Sequence, residues 1–226
     1  GIATREGGGF WLASEGNPEK KDAVLDDILL RVSAKGEVEE EIRLPEALAK
    51  HAVRFGFEGV AVTGTGADET VWLAVQREWK DDPKGKAKIL SYKPATKEWG
   101  VLHYPLSQPA AGFWMGLSEL VALGDDRFAV IERDNGFGAK AVKTLQTFSV
   151  KGLKPAVIGA TEIPTVAKTL LRDLTPDLMK VGGYGLDKVE GMAVDKAGNL
   201  FVVTDNDGVD DSSGETQFFA FGKIGN

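Results

Sequence analysis

The feature that most constrains this chain is an internal repeat. Four short apolar runs each open a unit: Gly1-Ile2-Ala3, Glu58-Gly59-Val60-Ala61-Val62, Glu119-Leu120-Val121-Ala122-Leu123 and Glu190-Gly191-Met192-Ala193-Val194. Each leads into turn formers such as Gly7-Gly8-Gly9 or Gly124-Asp125-Asp126. A second run follows in every unit. These are Phe10-Trp11-Leu12-Ala13-Ser14, Val71-Trp72-Leu73-Ala74-Val75, Phe128-Ala129-Val130-Ile131 and Leu200-Phe201-Val202-Val203-Thr204. Short β-branched and aromatic runs bounded by Gly, Asp and Asn predict strand, turn, strand.

Two further strands complete the units. Ile28–Val32 and Val38–Ile42 belong to the first, Ala87–Tyr92 and Trp99–Tyr104 to the second, and Leu145–Val150 and Ala156–Ala160 to the third. The last unit has Gln217–Phe221 and then stops. Four strands per unit, at a spacing of roughly 60 to 70 residues, predict an all-β chain of propeller blades. The expected blades are about 1–44, 55–107, 113–163 and 188–226, in one domain. Two segments between them read as helical inserts on the rim, 45–54 and 165–180. In the second, Val166, Leu170, Leu174 and Leu178 recur at helical spacing, with Pro176 expected to break the helix in two.

Propellers usually have about 4–8 blades. Three full blades and one short blade therefore predict part of a larger propeller truncated at its N-terminus, completed by a separate N-terminal segment or chain. A small four-bladed ring is the alternative.

Composition narrows the function classes. Lys plus Arg is 27 and Asp plus Glu is 34, a net charge of −7. An acidic chain does not suit non-specific binding to phosphate backbones, so nucleic acid is not an expected partner. Cys is 0, which excludes disulfides, thiolate metal sites and a Cys nucleophile. The 2 His are His51, in the first insert, and His103, on an outer strand, so a Ser-His-Asp triad is not expected. No apolar run approaches the ~18 residues that a membrane span needs. Trp11 and Trp72 occupy equivalent positions and read as blade core, whereas Trp79 and Trp114, near strand ends, are candidates to line a ligand site as well as to pack.

The chemistry is expected at one mouth of the central channel. Antiparallel pairing sets the start of one strand beside the end of the next. It therefore gathers Glu15, Glu58 with Arg77, Glu119 with Glu132, Arg133 and Asp134, and Glu190 with Asp205 and Asp207. Crowded carboxylates must be protonated, paired or metal-bound. Oxygen donors of this kind suit calcium, which takes about 6–8 oxygens. The metal candidates are Glu15, Glu132, Asp134, Asp205 and Asp207; the catalytic candidates are Glu58, Glu119, Glu190, Arg77 and Arg133. A salt-bridged plug holding the blades together is the structural alternative. Asp205-Asn206-Asp207-Gly208 lacks the helix–loop–helix calcium pattern, because its twelfth position is Thr216 rather than Glu.

Several of these motifs together resemble the phytase-like propeller family, described as having esterase-like activity. They are Phe57-Glu58-Gly59-Val60-Ala61-Val62 with Trp72 to Arg77, Leu117-Ser118-Glu119-Leu120 with Ile131 to Gly136, and Val189 to Val194 with Thr204 to Asp207 and Gly214 to Gln217. The resemblance implies a bacterial, periplasmic or secreted propeller whose domain extends further upstream.

The expectation from residues and resemblance together is a calcium-assisted hydrolase of phosphate or carboxylate esters, acting on a small anionic ester. A general base would come from Glu58, Glu119 or Glu190, and Arg77 and Arg133 would hold the anion. The alternatives are a non-catalytic binding or assembly module and a calcium-dependent lactonase.

Overall fold

The computed structural model describes residues 1–20, 25–180, 188–206 and 216–224. It is a four-bladed β-propeller. Blade 1 holds β1 (Ile2–Thr4), β2 (Phe10–Ser14), β3 (Ile28–Val32) and β4 (Val38–Arg43). Blade 2 holds β5 (Phe57–Thr63), β6 (Thr70–Val75), β7 (Lys86–Lys93) and β8 (Glu98–Pro105). Blade 3 holds β9 (Met115–Gly124), β10 (Arg127–Asp134), β11 (Lys143–Ser149) and β12 (Lys168–Asp173). Blade 4, among the described residues, holds β13 (Val189–Val194), β14 (Asn199–Thr204) and β15 (Phe218–Lys223). Every neighbouring pair is antiparallel, and each blade runs in chain order from its inner strand outward.

Hydrophobic alternation places the cores between blades. Trp11, Leu29, Leu73, Trp79 and Leu90 fill the space between blades 1 and 2. Trp72, Tyr104, Phe128 and Phe148 fill that between blades 2 and 3, where Trp72 meets Phe128 edge-on at 5.3 Å. Leu145, Leu174, Leu178, Val189 and Leu200 join blade 3 to blade 4. Trp11 and Trp72 are both buried, as their equivalent positions predict. Such sheet-on-sheet packing is the usual way two faces of alternating residues hide their apolar sides.

The inner strands approach one another unusually closely. A Cβ on Gly59 would lie 2.1 Å from the backbone nitrogen of Leu120 and 2.5 Å from the carbonyl carbon of Glu119. The glycine of the opening Glu-Gly pair is therefore a contact surface for the next blade.

Two expectations are corrected in blade 3. Its fourth strand is β12, inside the segment read as a long helix, and not 156–160. Leu170 is exposed there, so the helical spacing of Val166, Leu170, Leu174 and Leu178 is a coincidence of one strand and one short helix. That helix, α2, is only Thr175–Lys180, and Pro176 sits in its first turn, where a missing N–H is harmless. Residues 156–165 instead strap the outer edge of blade 2, with Ala156 bridging Val101 and Thr165 bridging His103. The first insert forms one turn of helix, α1 (Glu46–Ala49), after Pro45.

Candidate functional site at the axial mouth

The inner strands and the residues that follow the second strands surround a cavity of about 520 Å³. Glu15 and Asn17 of blade 1, Glu58 and Gln76 of blade 2, Trp114 and Arg133 of blade 3, and Lys188, Glu190 and Asp205 of blade 4 line it. Chain topology explains the gathering. Glu58 and Glu190 stand near the starts of inner strands, and Gln76, Arg133 and Asp205 at or just past the ends of the strands beside them.

Glu58 is the most perturbed group of the mouth. Gln76 donates a hydrogen bond from Nε2 to its Oε1. Burial pushes its carboxyl up to about 8, aided by the charges of Glu190 and Glu15 and opposed by Arg133. It is therefore largely protonated at neutral pH. Burial likewise raises Glu15, against a hydrogen bond from the Gly56 N–H.

Arg133 is 2 % exposed. It donates from Nε to Ser118 Oγ at 2.9 Å and from Nη2 to Glu190 Oε1. A buried guanidinium cannot stay unpaired, and Glu190 supplies the carboxylate from the neighbouring blade. Glu119 lies deeper. Its carboxylate accepts from the Leu120 N–H at 2.9 Å and also faces the N–H groups of Val60 and Met192. Burial still pushes it up to about 7. Backbone donors of three blades thus converge on one side chain.

Of the catalytic candidates, Glu58, Glu190 and Arg133 share the mouth, while Glu119 sits behind it. Arg77 lies beside the mouth, over the rings of Phe55 and Trp114. Of the metal candidates, Glu15 and Asp205 line the mouth, and Asp207 falls outside the described residues.

Glu132 and Asp134 stand away from the mouth. Both flank Arg133 on β10, and alternation along a strand turns them to the opposite face. Glu132, fully buried, accepts from Tyr104 Oη at 2.7 Å and pairs with Lys168 Nζ at 2.6 Å. Asp134, also fully buried, pairs with Lys143 Nζ at 3.0 Å. Buried carboxylates with lysine partners hold the blade; they are not available to a metal at the mouth. Among the described residues, no group of three or more His, Asp or Glu side chains stands close enough to hold a metal ion. Glu190 is engaged by Arg133 and Glu58 by Gln76.

The sequence reading missed Arg54, Phe55 and Lys188. Arg54 and Phe55 stand just before the Phe57-Glu58-Gly59 motif, and that adjacency was the available signal. Trp114 does line the cavity, whereas Trp79 is buried and donates from Nε1 to the Phe55 carbonyl at 3.2 Å.

No helix among the described residues is long and apolar enough to cross a membrane. Comparison with curated proteins and with solved structures found no match. A family model described as "Phytase-like: Esterase-like activity of phytase" matches residues 1–208, nearly the whole propeller and all of the described mouth. The chain belongs to this phytase-like family.

Proposed function

We propose that the axial mouth hydrolyses a small ester, of a phosphoric or carboxylic acid, using Glu58 as general acid. The observation that carries this reading is a carboxyl held neutral near pH 7 on the wall of a cavity of about 520 Å³, beside the pair that buried Arg133 makes with Glu190. A general acid works best when its pKa lies near the operating pH. The family description, esterase-like, agrees with the reaction class.

The steps use groups of this chain. A water in the mouth gives a proton to the Glu190 carboxylate as its oxygen bonds to the acyl carbon or phosphorus. Protonating Glu190 releases the charge of Arg133 toward the oxyanion that develops on the ester. The bond to the leaving oxygen then breaks, and that oxygen takes the proton of Glu58. Solvent returns a proton to Glu58 and removes one from Glu190. Stabilising the developing charge is usually the largest single contribution in such reactions.

A non-catalytic reading has one observation in its favour. Glu119 and the Arg133–Glu190 pair tie successive blades together, as a purely structural plug would. A panel of 4-nitrophenyl phosphate, 4-nitrophenyl acetate and a simple lactone separates the readings. Hydrolase function predicts turnover of at least one class and a loss of about 100-fold or more in Glu58→Gln. Absence of turnover across the panel favours the binding module.

A further inference from the structure

Three guanidinium groups meet on one pair of aromatic rings at the edge of the mouth. Phe55 and Trp114 touch with ring centroids 5.2 Å apart. The Cζ of Arg77 lies 4.8 Å from the Phe55 ring and 4.7 Å from the Trp114 ring. Arg54 lies 5.3 Å from Phe55, and Arg133 lies 5.6 Å from Trp114. Contact with a ring uses the face of a guanidinium and leaves its in-plane N–H donors for another partner.

The rings are fixed from behind. The Trp114 N–H donates to Asn135 Oδ1 at 2.8 Å, and the Asn135 N–H donates to the Trp114 carbonyl at 3.2 Å. Trp79 holds the Phe55 carbonyl from the other blade wall. Gly116 leaves room for the indole, since a Cβ there would stand 3.0 Å from Trp114 Cζ3. The cations are thus mounted on a rigid support.

Their partners differ. Arg133 has Glu190. Arg54 and Arg77 make no ion pair within 4 Å with any carboxylate among the described residues, although the charges of Glu15 and Glu78 act on them from further off, and Arg77 Nε is buried without a hydrogen-bond partner. Like charges do not gather on a rigid support without cost. A cluster with unused planar donors matches the geometry of an oxyanion, which such groups grip in bidentate fashion. Arg54, Phe55 and Trp114 face the same cavity as Glu58.

We propose that Arg54 and Arg77, mounted on Phe55 and Trp114, form an oxyanion subsite at the rim of the mouth, and that the ester cleaved there carries a second anionic group, a carboxylate or a phosphate, away from the bond that breaks. The ester part rests on the hydrolase reading above; the subsite does not. Arg133 and Glu58 act on the reacting bond, while Arg54 and Arg77 set which esters are chosen.

Calorimetric titration of the full chain with inorganic phosphate and, separately, with succinate tests the subsite. Binding of either anion is expected, and the one bound names the source. Arg54→Gln, at an exposed position, and Arg77→Met, which keeps the stem over the rings, should each weaken it about tenfold or more, as expected for a lost charge-assisted hydrogen bond. Thermal melts confirm that both variants fold. The kcat/KM for the mono-4-nitrophenyl ester of succinic acid, relative to 4-nitrophenyl acetate, should fall by a similar factor, through KM. Neither anion binding, or binding unchanged in both variants, overturns the subsite. Anion binding that the variants lose, with neither ester turned over, upholds the subsite and sinks the hydrolase.

Discussion

Arg133, near the end of β10 in blade 3, donates from Nη2 to Glu190 of β13 in blade 4, so one ion pair, buried at its arginine and partly exposed at its carboxylate, both joins two blades and lines the mouth. Removing one partner of such a pair takes a carboxylate from a buried charge, which is costly. Glu190→Gln should therefore lower unfolding stability by about 3 kcal/mol, read by urea denaturation. A double cycle with Arg133→Met should recover much of that loss. Independent, additive effects would show that the pair carries no coupling.

Glu58 makes stability depend on pH. Its folded value of about 8 lies above the ordinary 4.5, so the folded chain holds a proton that the unfolded chain releases. The contribution is fully present below about 4.5 and is lost as pH rises toward 8. Wild-type stability should fall across that window, by about 1.4 kcal/mol per pH unit at most. Glu58→Gln should flatten the slope in denaturation curves taken from pH 5 to 8. An identical slope in the variant would contradict the assignment.

Gly59 is the contact between the inner strands of blades 2 and 3. An added Cβ would meet backbone, which cannot swing aside. Gly59→Ala should cost about 3 kcal/mol or more, or leave the chain insoluble, while Gly36→Ala, where nothing lies within 4 Å of the added Cβ, should cost about 1 kcal/mol from its positive φ alone. Equal losses would show that close approach is not why glycine stands at position 59.

Asp27 ties blade 1 to blade 2. Its Oδ1 accepts from the Gly16 N–H at 2.8 Å and the Phe57 N–H at 3.0 Å, and burial raises its pKa. Asp27→Ala strands two buried donors and should cost about 2–4 kcal/mol. Asp27→Asn keeps an acceptor and should cost about 1 kcal/mol or less. A reversed order in thermal melts would mean that charge, and not the two hydrogen bonds, holds the seam.

The blades were legible because strands such as β6 and β10 are buried on both faces and read as short apolar runs. The edge was not. β12 is half exposed, so it carries no apolar run, and Leu170 faces solvent there while Val166, Leu174 and Leu178 are buried. The apolar 156–160 segment was attractive as a strand because it covers blade 2, not because it extends blade 3. At the site, topology alone placed Glu58, Arg133 and Glu190 together. It could not say which of three successive charged residues on β10 faces the mouth, because strand alternation is absolute only once one residue's face is known. Arg133 faces it; Glu132 and Asp134 meet Lys168 of β12 and Lys143 of β11, the outer strands of the same blade.

The most direct measurement is the pH dependence of kcat/KM, from pH 5 to 10, for whichever ester the panel turns over, in wild type and Glu58→Gln. A general acid in Glu58 predicts a wild-type rate that falls above about 8 as the carboxyl ionises, and a variant slower by about 100-fold that has lost this limb. A variant with the wild-type rate and the same falling limb would contradict catalysis by Glu58.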